Sequence, residues 1–137
     1  LHLTLKFLGE VDEIKIEEIR KRLRNIKFKS FKVRLGELGV FSESFIKIIW
    51  IKLDGKEVLE LQKKVDEVLE ELFNQEFRFM SHITIARVNN VGDKKTLLEF
   101  LKEIKIKDVE FQIRGFDLMK SELFPEGPKY GVIEEYS

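Results

Sequence analysis

The 137-residue chain has no cysteine, which removes disulfides, thiolate nucleophiles and cysteine-ligated zinc together. Histidine is almost as scarce: there are two, His2 and His82, too few for a histidine-rich metal site. An excess of one charge is also missing. Lysine and arginine total 25, as do aspartate and glutamate, so nothing advertises bulk binding to nucleic acid, although local patches remain open. No apolar run approaches the roughly eighteen residues of a membrane span, and no signal-peptide pattern appears. The expectation is a soluble, cytoplasmic protein with no membrane contact. Abundant Lys, Glu and Ile without Cys is a composition often seen in heat-adapted proteins. The length suits one domain with a hydrophobic core that needs no disulfide or metal staple.

The scarce residues are not scattered. Residues 2–5 read HLTL and residues 82–85 read HITI, so each histidine is followed two places on by a threonine. The chain has only three threonines, and on composition alone this double coincidence has a chance of roughly one in two thousand. The surroundings must decide whether it means anything.

Residues 1–8 are apolar and β-compatible, and Gly9 ends them, which predicts a strand. A motif strand at residue 1 has no preceding element to orient it, so an upstream strand and helix are expected to be missing from a single domain over 1–137. Asp12 offers an N-cap for a helix to about Arg24, with Ile16, Ile19, Leu23 and Ile26 at helical spacing. Phe31, Val33 and Leu35 alternate with charged residues as in a half-buried strand. FIKIIWIKL (45–53) is a second strand, closed by Asp54-Gly55. An amphipathic helix over 56–73, a strand HITIARV (82–88), a loop at 89–92 and a shorter helix over 93–104 follow. Val109, Phe111 and Ile113 alternate in a strand that continues past Gly115 towards Met119. FPEGPKY (124–130) reads as a loop, and 131–136 as a final strand. The order predicts an α+β fold with mainly antiparallel pairing and outer helices. Two similar passages, each an H-x-T strand, a helix and a strand pair, begin 80 residues apart and suggest two related lobes.

In a strand, residues i and i+2 share a face. His2 projects with Thr4 and His82 with Thr84, while Leu3, Leu5, Ile83 and Ile85 turn towards a core. Two such strands facing each other enclose two imidazoles and two hydroxyls. Imidazole titrates near neutrality, so one ring can accept a proton while the other donates one. Threonine hydroxyls can donate to phosphoryl oxygens. This chemistry suits in-line displacement at phosphorus without a metal: one histidine activates water and the other protonates the departing alkoxide. The competing reading of any single H-x-T is a structural histidine in a strand; the matched pair, using every histidine, weakens it.

LHLTLKFLGEV (1–11), SHITIARV (81–88) and SELFPEGPKYGVIEEY (121–136) together resemble the 2H phosphoesterase superfamily, in particular its RNA 2′,3′-cyclic phosphodiesterase branch, also described as 2′-5′ RNA ligase. The resemblance implies a bilobal fold with a pseudo-twofold axis through the cleft. It implies metal-independent opening of a 2′,3′-cyclic phosphate at an RNA 3′ end to a 2′-phosphomonoester, with no cofactor. Reversible 2′-5′ ligation, tRNA halves as substrates and a monomeric state come with it as expectations. By family position His82 is the base and His2 the acid. Arg87 corresponds to a phosphate-contacting arginine, a role suited to a guanidinium. By ideal alternation, however, it faces away from His82 unless the strand twists or ends near Ala86. Phe7 corresponds to a nucleobase platform, with core packing as the rival reading. Tyr130 is a candidate for the cleft rim, and Trp50, in a continuous apolar strand, reads as core. The alternative function is a binding module that holds a nucleotide or RNA end without turnover.

Overall fold

The computed structural model describes residues 2–106 and 108–137. Among them, three helices and six strands follow in the order α1 (Glu13–Leu23), β1 (Phe31–Val40), β2 (Ile48–Asp54), α2 (Lys56–Val68), β3 (His82–Arg87), α3 (Lys94–Glu103), β4 (Glu110–Ile113), β5 (Phe116–Phe124) and β6 (Gly127–Tyr136). The strand pairings are antiparallel, as the sequence predicts. Four strands form a sheet in the order β3-β2-β1-β4, and β5-β6 form a second, two-stranded sheet.

Local chemistry explains the boundaries. The Asp12 carboxylate accepts from Lys15 N (2.8 Å) and caps α1. Asp93 caps α3, accepting from both the backbone N–H and the hydroxyl of Thr96, which gives the third threonine a structural job. The helix predicted to run to residue 73 ends at Val68, its last turns loosening into turn structure. The strand predicted from Val109 past Gly115 divides at that glycine into β4 and β5, which enter different sheets. A Cβ on Gly115 would lie 2.4 Å from the Tyr136 carbonyl oxygen, so only glycine allows the chain to pass there. The predicted 124–130 loop is instead the tip of a hairpin. Only Pro125 and Glu126 turn, and Pro128 pairs within β6 opposite Leu123. Proline is tolerated because β6 is an edge strand, whose other side carries no ladder among the described residues.

The strand predicted over 1–8 is a further correction. Leu1 lies outside the described residues, and residues 2–8 join no ladder. The apolar alternation still acts: Leu3 packs on a cluster built from Val33, Leu53 and Val58, and Leu5 and Leu8 on a second cluster of Ile19, Leu23, Val65, Leu69, Leu118 and Tyr136. Phe28 lies between the two sheets, with ring centroids 5.9 Å from Phe31 and 6.1 Å from Phe116. Two apolar clusters, two sheets and one aromatic bridge make the frame that carries the H-x-T elements.

Candidate active site

β3 places His82 and Thr84 on one face, opposite Lys52 and Trp50 of β2. The ladder then slips. Trp50 pairs with Thr84 but Ile49 pairs with Ala86, so Ile85 is an extra residue in β3. The bulge reverses the alternation beyond it, and Arg87 stands opposite Ile48, on the face that Trp50, Thr84 and His82 share. The conflict raised by ideal alternation is therefore resolved by a bulge rather than by a strand end. Ile85 is correspondingly exposed rather than in the core, while Ile83 packs against Val33 and Leu53 as expected.

His82 itself rests on Trp50. The rings stack with centroids 3.8 Å apart and planes 10° from parallel, and the Phe41 ring lies 6.1 Å from the imidazole. Gly39 on β1 makes this possible, because a Cβ there would lie 2.4 Å from the Trp50 ring. Trp50 is thus part of the histidine's environment and not simply core packing. Trp50 is the register partner of Thr84 and stacks diagonally on His82, a relation that becomes visible only once β2 is paired with β3. His82 Nδ1 is buried and has no hydrogen-bond partner among the described residues. A histidine is commonly oriented by a partner on its second nitrogen; here the ring is restrained instead by stacking on the indole face. Burial, and secondarily the Lys52 ammonium, hold the His82 pKa below its ordinary value. A neutral imidazole is the form that accepts a proton.

The first H-x-T element is held differently. Lys6 reaches inward to Asp66 on α2, with Nζ 2.5 Å from Oδ1, and donates to the Asn74 carbonyl at 2.7 Å. The two side chains are 6% and 2% exposed. Burial pushes the Asp66 carboxyl up, but Lys6, Gln62 and the Glu76 N–H together bring it below the usual carboxylate range. Sequence reasoning missed this anchor, since a lysine in a charged chain reads as solvated. His2 lies against Tyr130 of β6, with ring centroids 5.9 Å apart. Thr4 is half-buried beside it in sequence, and Phe7 is 87% exposed, which removes core packing as its role. Contacts thus gather His82, Thr84, Arg87, Trp50 and Lys52 on one sheet, and His2 with Tyr130 on the other.

The family model for the 2′-5′ RNA ligase superfamily matches residues 1–123. The chain belongs to this superfamily. An RNA 2′,3′-cyclic phosphodiesterase of Methanocaldococcus jannaschii is 39% identical over 99% of this chain and 79% of its own length. One from Thermotoga maritima is 36% identical over 98% of this chain and 74% of its own. Among solved structures, the Thermus thermophilus protein TT0787 superposes with a TM-score of 0.79 at 28% identity, covering 98% of this chain and 76% of that one. Escherichia coli LigT, crystallised with 3′-AMP, matches with a TM-score of 0.75 at 20% identity, covering 98% of this chain and 75% of that one, a likeness of fold. The α+β architecture with antiparallel sheets is therefore that of 2′-5′ RNA ligase superfamily proteins. Among the described residues no helix is long and apolar enough to cross a membrane.

Proposed function

We propose that this chain is an RNA 2′,3′-cyclic phosphodiesterase that opens cyclic phosphate ends by paired histidine catalysis without a metal. The observation that carries the reading is kinship with enzymes of that name over nearly the whole chain, at 39% identity in one case, with both H-x-T elements present. His82, held neutral by burial, takes a proton from water through Nε2 as the water oxygen bonds to phosphorus. The bond from phosphorus to the 3′ oxygen breaks, and His2 supplies the proton to that oxygen. The products are a 2′-phosphomonoester and a free 3′ hydroxyl. Thr4, Thr84 and Arg87 donate to the phosphoryl oxygens as charge builds there. Phe7, exposed and apolar, offers its ring to the terminal base. Running the step backwards, with a 5′ hydroxyl in place of water, gives 2′-5′ ligation, and tRNA halves are substrates of suitable chemistry. A monomer working in the cytoplasm completes the reading.

The test is turnover of a 2′,3′-cyclic mononucleotide in EDTA, with the product identified. The expected product is the 2′-monophosphate, and His2→Ala and His82→Ala should each lower turnover by roughly 10²–10⁴. A requirement for a divalent ion, a 3′-monophosphate product, or near-normal turnover in a folded single variant contradicts the mechanism.

A further inference from the structure

β1 and β2 are joined by residues 41–47, which carry chemistry that hydrolysis of a mononucleotide does not use. Phe41, Ser42, Phe45, Lys47 and Ile48 line a shallow groove of about 160 Å³. Phe41 and Phe45 leave 57% and 64% of their surface exposed, so neither ring is a core residue. The segment is nevertheless held. Val88 N donates to the Lys47 carbonyl (2.7 Å), and Lys94 of α3 donates to the carbonyl of Ser44. The Lys47 ammonium stands 4.9 Å above the Phe45 ring. The groove runs into the candidate active site: the Phe41 ring is 6.1 Å from that of His82 and 6.0 Å from that of Trp50. Ile48, in its wall, is the cross-strand partner of Arg87.

We infer that this groove is a binding subsite for the nucleotide preceding the reacting one in an RNA strand, which makes the chain prefer oligonucleotide ends over mononucleotides. The inference rests on the proposed function and names its substrate class. Exposed phenyl rings offer a stacking face to an unpaired base of any identity. Lys47 supplies a cation for the backbone phosphate that links the two nucleotides. Two aromatic faces beside one lysine, with no carboxylate among the lining residues, fit a single-stranded polyanion. A separate concavity of about 650 Å³ along α1 has lysines and glutamates in its walls and is lined by none of the motif residues.

The experiment compares kcat/KM for a 2′,3′-cyclic mononucleotide with that for a dinucleotide ending in the same cyclic phosphate. Wild type should favour the dinucleotide. Phe45→Ala should lower the dinucleotide value by roughly tenfold or more and leave the mononucleotide value within about twofold. Lys47→Gln should weaken the salt dependence of the preference. Both side chains are exposed, so neither substitution opens the core. No dinucleotide preference in wild type, or equal losses on both substrates in Phe45→Ala, overturns the subsite while leaving cyclic phosphodiesterase activity standing. A second readout is the emission of Trp50, the only tryptophan, on titration with a dinucleotide 2′-monophosphate. If wild type turns over neither substrate but binds this product, and Phe45→Ala binds it at least tenfold more weakly, the hydrolytic reading fails and the subsite holds.

Discussion

An imidazole stacked on an indole is restrained in tilt and sheltered on one side from water, and both effects bear on proton transfer. Burial disfavours the imidazolium of His82, and the Lys52 ammonium across the ladder disfavours it further. Because the pKa is lowered, His82 stays neutral to a lower pH than a free histidine, and if it is the base of the proposed mechanism the acid limb of kcat/KM should lie below about pH 6.5. Trp50→Leu removes shelter and Lys52→Met removes repulsion, so both should move that limb to higher pH. The two should differ at the plateau. Trp50→Leu also frees the ring's orientation and should lower the plateau by roughly tenfold or more, whereas Lys52→Met should leave it nearly intact. The measurement is kcat/KM from pH 4.5 to 9 on a cyclic mononucleotide. A limb that stays put in both variants, or moves to lower pH, removes burial and Lys52 as the causes of the shift.

At the level of elements, the two passages cross over. The H-x-T of β3 lies beside β2, a strand of the first passage, while His2 lies against Tyr130 of β6, in the second. Each histidine is therefore completed by the other half of the chain. The helices, most strands and both H-x-T positions were legible in the sequence because periodicity and caps are local. The bulge at Ile85, the Trp50 stack and the division at Gly115 were not, since each depends on which strand lies alongside. The strand expected over 1–8 failed for the same reason: alternation is a property of the segment, a ladder needs a partner. What holds that segment is Lys6, the residue between Leu5 and Phe7, buried against Asp66. Lys6→Met leaves a buried carboxylate short of its cation and should cost roughly 3 kcal/mol. The double variant Lys6→Met/Asp66→Asn should be more stable than Lys6→Met alone, because no bare charge remains. Urea unfolding of the two singles and the double checks this, and additive losses would show that the pair is not coupled. Because His2 and Thr4 ride on the same segment, Lys6→Met should also lower kcat without shifting the His82 limb.

The molecule as a whole has to keep α1 seated on the second sheet, since α1 follows directly on the first H-x-T segment and β6 carries the tyrosine beside His2. Apolar contact does part of this: Ile19 and Leu23 of α1 share a cluster with Leu118 and Tyr136. The polar part converges on one carboxylate. Glu134 of β6 accepts from Arg24 (Oε1 2.5 Å, Oε2 3.0 Å) and from Arg20 (Oε1 3.1 Å from Nη2). Arg24 above all, and then Arg20, hold its pKa down to about 2 from the usual 4.5. The sign follows from linkage: a carboxyl acidified by folding contributes stability above its unfolded pKa and loses that contribution as pH falls through the folded value. Glu134→Gln should therefore melt lower than wild type at pH 7, by roughly 1–3 °C for a site open to solvent screening. The difference should persist to about pH 4.5 and then close as pH approaches 2. Glu126→Gln, at the exposed hairpin turn, is the control and should follow wild type throughout. Added salt at pH 7 should narrow the gap as well. A Glu134→Gln deficit that stays constant down to pH 2 would mean that the variant disturbs packing between α1 and β6, and that the two arginines do not hold this end of the molecule through charge.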